Sequence, residues 1–173
     1  LAEAQFYPND YDGIWASCPA INWTQFLASG LWAVTVMNEY DHILGFHKIN
    51  AFRDAVHNSV GGKENYFRVE ERIDFDPYTI LGQKTKGGKI TEKDCLVMQE
   101  IWKGPHTTGN DFLWYGFLPG GTFWNKIIPI GSFYYPLIGK RPKCFSLVEQ
   151  YVHLAFEDPK KDLRHLKIRD FEK

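Results

Sequence analysis

The sequence holds no G-x-S-x-G pentapeptide, no CxxC pair, no basic stripe and no apolar run of membrane length. Each absence removes a class of function. Without the pentapeptide there is no strand-to-helix elbow to expose a serine nucleophile. Without paired cysteines a structural zinc site has no framework. The apolar stretches break well short of the roughly 20 residues that span a bilayer, so no membrane helix is expected. Acids and bases are mixed to a net charge of -1, which leaves no electrostatic footprint for nucleic acid. The three cysteines, Cys18, Cys95 and Cys144, allow either one disulfide with a free thiol or three reduced thiols. Asn22-Trp23-Thr24 is a formal glycosylation sequon.

Aromatic residues are plentiful. Phe, Trp and Tyr make up 16% of the chain, with six Trp, which suits a large core or a cleft for flat ligands. The 173 residues are enough for one domain.

Local patterns place the elements. Residues 1–7 read as the back half of a helix stopped by Pro8-Asn9-Asp10, and a chain opening in mid-helix implies preceding residues. Asp12 to Ser17 reads as a short buried strand. Trp23, Phe26, Leu27, Leu31 and Val34 recur at helical spacing and predict an amphipathic helix to about Asn38. A second helix is expected over Gly45 to Ser59, with Phe46, Ile49, Phe52 and Val56 on one face. Gly61 to Gly88 reads as irregular, with a turn at Asp76-Pro77. Thr91-Glu92-Lys93-Asp94 opens a third helix with a capping box, ending at Gly104-Pro105. Phe112 to Phe117 reads as a strand, Pro119-Gly120-Gly121 as a turn, and 122–144 as a long loop. A helix over Phe145 to Phe156 and the start of another within Lys160 to Lys173 complete the chain. Two long loops favour a lid.

Catalytic groups do not assemble. Of the five serines, only Ser132 follows a glycine, and it lacks the second glycine and the helix of an elbow. Cys18 has no basic neighbour or helix N-terminus to activate it. No two of the six histidines bracket a carboxylate at i, i+4; His42 and His47 stand five apart across Gly45, and His106 reads as a surface-loop histidine. Asp74 and Asp76 flank Phe75 as turn residues.

Three ordered motifs then carry a resemblance. The first runs from Phe6-Tyr7-Pro8-Asn9-Asp10-Tyr11-Asp12-Gly13-Ile14 through Ala16-Ser17-Cys18-Pro19-Ala20-Ile21-Asn22-Trp23. The second joins Phe75-Asp76-Pro77 to Thr91 and to Ile101-Trp102-Lys103-Gly104-Pro105. The third is Gly109 with Leu113-Trp114-Tyr115-Gly116 and Pro119-Gly120. Together they resemble the tannase/feruloyl esterase family of α/β hydrolases.

The resemblance implies an α/β or α+β fold: a mixed lid domain with short fragments of the adjoining hydrolase core. Residues 1–21 would belong to that core, 22–157 to the lid, and 158–173 to a segment returning toward the core. It implies a secreted serine-type esterase whose nucleophile elbow would precede Leu1 and whose Asp and His would follow Lys173. No catalytic residue is therefore assigned on this chain, which is expected to be inactive alone. Its partners would be an aromatic-acid ester and the remainder of the hydrolase core. Trp114, Tyr115, Phe117, Trp124 and Tyr134 are the candidate substrate-binding rings. No cofactor is expected. The family's calcium loop is rich in aspartate, whereas Ser59 to Glu70 carries Lys63 and Arg68, with Glu64, Asn65, Glu70 and backbone carbonyls left as oxygen donors. The competing reading is a stand-alone binding module for phenolic or carbohydrate ligands.

Overall fold

A computed structural model describes residues 2–15, 17, 22–61, 73–121, 150, 153–154, 156–162 and 165–172. Among them are four helices, α1 (Ala2–Phe6), α2 (Trp23–Glu39), α3 (Phe46–Ser59) and α4 (Glu92–Lys103). Two short 3-10 turns, Pro77–Ile80 and Ile168–Glu172, and one hairpin, β1 (Lys84–Thr85) with β2 (Gly88–Lys89), accompany them. The described architecture is mixed, consistent with α+β.

α2 is the centre. Leu31 through Asn38 are buried without interruption, which corrects the expected amphipathic helix. A helix apolar all round is buried all round; α2 reaches solvent at its first turns, where Trp23 is half exposed, and at Glu39, its last residue. The polar groups taken inside are satisfied. Thr35 Oγ1 donates to the Leu31 carbonyl at 3.1 Å, and Asn38 Nδ2 donates to the Leu166 carbonyl at 3.3 Å. Unpaired, each would cost about 1–3 kcal/mol.

α4 packs along α2, and the Ile168–Glu172 turn packs on α2 as well. Trp32 Nε1 ties the two long helices by donating to the Glu100 carbonyl at 2.9 Å. α3 follows its predicted periodicity, with Ile49, Phe52 and Val56 buried. It packs on the Pro77–Ile80 turn, as does α4. That turn is capped by Asp76, whose side chain accepts from the Tyr78 amide at 2.9 Å.

α4 begins with the predicted capping box: Asp94 N donates to Thr91 Oγ1, and Thr91 N donates back to Asp94 Oδ2 at 2.7 Å. The supposedly irregular stretch before it contains the hairpin, where Lys86-Gly87 turns the chain and Gly88 takes φ 98°. Leu166 and Ile168 are buried, so the end of the chain shares the core around α2.

The expected strand at Asp12 to Ser17 is a correction. Residues 12–15 and 17 form no strand and are exposed, Trp15 to 93%. A strand needs a paired neighbour for its backbone groups, and no described segment supplies one. Of the helix expected over Phe145 to Phe156, Gln150, His153 and Leu154 are helical, and most of the remainder lies outside the described residues, as does the whole 122–144 loop. The segment from Lys160 closes with a 3-10 turn rather than a longer helix.

Candidate functional site

Two of the sequence motifs meet at the end of α4. Gly104 stops the helix with φ 91° and ψ 173°, a region that is essentially glycine's alone. It lies directly against Gly116. A Cβ on Gly104 would stand 2.3 Å from the Gly116 nitrogen, and one on Gly116 would stand 2.3 Å from the Trp102 carbonyl oxygen. The backbones of Ile101-Trp102-Lys103-Gly104-Pro105 and Leu113-Trp114-Tyr115-Gly116 therefore cross in bare contact.

The loop between them is tightly bonded. The Pro105 carbonyl accepts from both Leu113 N (2.9 Å) and Trp114 N (3.1 Å), and Thr107 N donates to the Asp111 carbonyl at 3.0 Å. His106 and Phe112 form a single bridge. The strand expected over Phe112 to Phe117 is thus reduced to one paired residue. Two successive amides spend themselves on one carbonyl, and the chain then turns across Gly104. Asn110 adopts φ 73° at the loop tip, its side chain bonded to Lys103 Nζ, while the Thr108 amide donates to Glu172.

This frame presents a row of rings. Trp114 is half-buried and meets Tyr115 edge-on at 5.8 Å; Tyr115 in turn meets Phe112 at 5.2 Å. Tyr115 is 58% exposed and Phe112 is 63% exposed. Phe117 packs against the core. Of the five candidate rings, then, the structure groups Trp114 and Tyr115 and separates Phe117 from them. Trp124 and Tyr134 lie outside the described residues. Phe112 is the member that sequence reading missed; its three-residue spacing from Tyr115 in an extended loop gave no periodic signal.

His106 does not sit at the surface, another correction. It is buried, with Nδ1 donating to the Gly104 carbonyl at 2.8 Å and Nε2 3.2 Å from Glu100 Oε2. Its ring packs edge-on to Trp32 at 4.9 Å. The loop preceding the aromatic row is anchored to both α4 and α2 by this one side chain.

A second polar cluster lies at the opposite end of α4. The fully buried Asp94 accepts from Lys48 Nζ at 2.6 Å, His42 Nε2 at 2.7 Å, and both the amide and hydroxyl of Thr91. Burial works to raise the Asp94 pKa, but the bonds from Lys48, His42 and Thr91 outweigh it and hold the carboxyl below its ordinary value. With its oxygens so occupied, Asp94 is a clamp joining α4 to α3 and to the loop after α2, not a reacting group. Cys95 beside it is buried and reduced; burial, then the charge of Asp94, raise its thiol pKa and make it inert.

Among the described residues no group of three His, Cys, Asp or Glu side chains is placed to hold a metal ion, and no helix is long and apolar enough to cross a membrane. Cys18, Cys144, Ser132 and most of the Ser59 to Glu70 stretch lie outside the described residues.

Comparison with known proteins gives the context for this geometry. The chain is 31% identical over 145 residues to a "probable feruloyl esterase" of Arthroderma benhamiae. The likeness is to a protein described as an esterase. The match covers 78% of this chain but 24% of the relative, so the chain spans about a quarter of that protein's length. No protein-family profile matches the chain, and no solved structure matches it.

Proposed function

We infer that this chain is the substrate-binding lid segment of a secreted, tannase/feruloyl-esterase-like serine hydrolase acting on esters of phenolic acids. The observation that carries the reading is the match to the esterase over most of this chain and a quarter of that protein. In this reading 22–157 is the lid, 1–21 and 158–173 belong with the hydrolase core, and the serine, histidine and aspartate stand elsewhere in the protein. Ser29 and Ser59 donate to carbonyls of their own helices, and Asp94, paired with half-buried His42, is occupied by Lys48 and Thr91.

The lid's chemistry is positioning. Two exposed rings and a half-buried one, held by the Gly104–Gly116 crossing, offer flat apolar faces to an aromatic acyl group. Closing such a surface over an ester excludes water and strengthens the polar interactions of the reacting carbonyl. The exposed Phe6, Tyr7, Tyr11, Ile14 and Trp15 give an apolar surface by which the segment docks on the hydrolase core. Nothing in the reading uses a cofactor or a calcium ion.

Titration of tryptophan fluorescence with methyl ferulate tests the binding role. Saturable quenching at millimolar ester, weakened in Tyr115→Ala, is expected. A flat response in the wild-type chain overturns the assignment of the aromatic row.

A further inference from the structure

A separate cleft of about 410 Å³ opens between α3 and the Pro77–Ile80 turn, away from the Trp114–Tyr115 row in sequence and in the elements that build it. Its size falls within the roughly 300–1,000 Å³ of small-ligand clefts. Ala51 and Ala55, one helical turn apart on α3, line it with short side chains. Phe75 and Ile80 make one wall. The Phe75 ring is fixed by edge-on contact with Trp102 at 6.1 Å, and Trp102 by a similar contact with Phe52 at 6.1 Å. The rim is polar and planar: the Asp54 carboxylate, oriented by Arg53 Nη2 at 2.7 Å, and the amides of Asn58 and Gln83.

That combination selects a ligand class. A flat aromatic phenolic would gain most from rings on both sides, and the cleft has one. A free acid or phosphate would meet Asp54 at the rim. A neutral sugar ring has one C–H face for Phe75, and its adjacent hydroxyls each donate and accept. Those hydroxyls match a carboxylate, which accepts at two oxygens, and primary amides, which do both. We propose that this cleft is a binding site for a neutral carbohydrate of one or two sugar rings, with Phe75 as the stacking face and Asp54, Asn58 and Gln83 as the hydroxyl-binding groups. The site is independent of the esterase reading.

The test is an NMR titration of the isotope-labelled 173-residue chain with cellobiose and xylobiose, alongside ferulate. Saturable shifts at millimolar sugar, confined to α3 and residues 73–83, are expected. Asn58 and Gln83 are exposed, so Asn58→Ala and Gln83→Ala keep the fold, and each should weaken binding by about fivefold, as befits one lost hydrogen bond. Phe75→Leu, which keeps apolar bulk but removes the flat face, should weaken it further. Absence of shifts with either disaccharide, or shifts unchanged in Asn58→Ala and Gln83→Ala, overturns the site. Saturation of the same cleft by ferulate in preference to sugar overturns the ligand class. Failure of either kind leaves methyl ferulate binding at Tyr115 untouched, so the two readings fail separately.

Discussion

Gly104 and Gly116 pack backbone to backbone, so that a single added methyl on Gly116 would come within 2.3 Å of the Trp102 carbonyl oxygen and 2.6 Å of the Gly104 amide nitrogen. The obstruction is main chain on both sides and cannot swing away. Gly116→Ala should therefore destabilise the chain by at least about 2 kcal/mol, in the range of overpacked or strained sites. Gly104→Ala adds a positive φ to the same clash. Gly13→Ala, whose new methyl meets nothing within 4 Å, should stay within about 0.5 kcal/mol of wild type. Urea unfolding of the three variants separates them.

Asp94 supplies a pH-dependent share of stability. Its carboxyl titrates lower in the folded chain than in the unfolded one, so its contribution is complete above the unfolded value of about 4 and is lost as pH falls through the folded value. Asp94→Asn keeps the shape but leaves Lys48 facing a neutral amide. Removing one partner of a buried ion pair costs about 3–5 kcal/mol. Melting temperature measured from pH 7 down to pH 3 should fall steeply for wild type and more gently for Asp94→Asn, which starts lower.

How much of this was legible beforehand follows the range of the interactions. The Thr91–Asp94 box, the α3 stripe of Ile49, Phe52 and Val56, and the stop at Gly104 are signals within a few residues, and they read correctly. His42 and Lys48 lie 52 and 46 residues from Asp94, and no local pattern announces them. α2 looked amphipathic because Trp23, Phe26, Leu27, Leu31 and Val34 recur at helical spacing; that Thr35 and Asn38 are also buried, bonded to the Leu31 and Leu166 carbonyls, becomes visible only in three dimensions. The Asp12 to Ser17 strand failed for the opposite reason. Its pattern describes a buried segment, while no strand among the described residues pairs with it. In the aromatic loop, Trp114 and Tyr115 were found by motif, and Phe112 was not.

Trp32 joins α2 to α4 through one hydrogen bond and to His106 through ring contact. Trp32→Phe retains an aromatic ring but leaves the Glu100 carbonyl without this donor and a void beside His106. A loss of about 2–3 kcal/mol is expected, combining the lost bond with the cavity. Thermal unfolding followed by circular dichroism checks it.

Cys95 should resist alkylation. Its thiol is buried, donates toward the Pro77 carbonyl at 3.5 Å, and is held protonated by its surroundings. Iodoacetamide labelling at pH 8 with peptide mapping should leave Cys95 unmodified in the native chain and label it after denaturation in urea.

The proposed function divides the labour: this chain would bind, and the bond-breaking groups would stand elsewhere in the protein. Incubation of the purified 173-residue chain with methyl ferulate, with free ferulate quantified by chromatography, addresses that division most directly. The expected result is no release above the buffer blank. Hydrolysis by the chain itself, abolished by a serine-directed inhibitor, would contradict it.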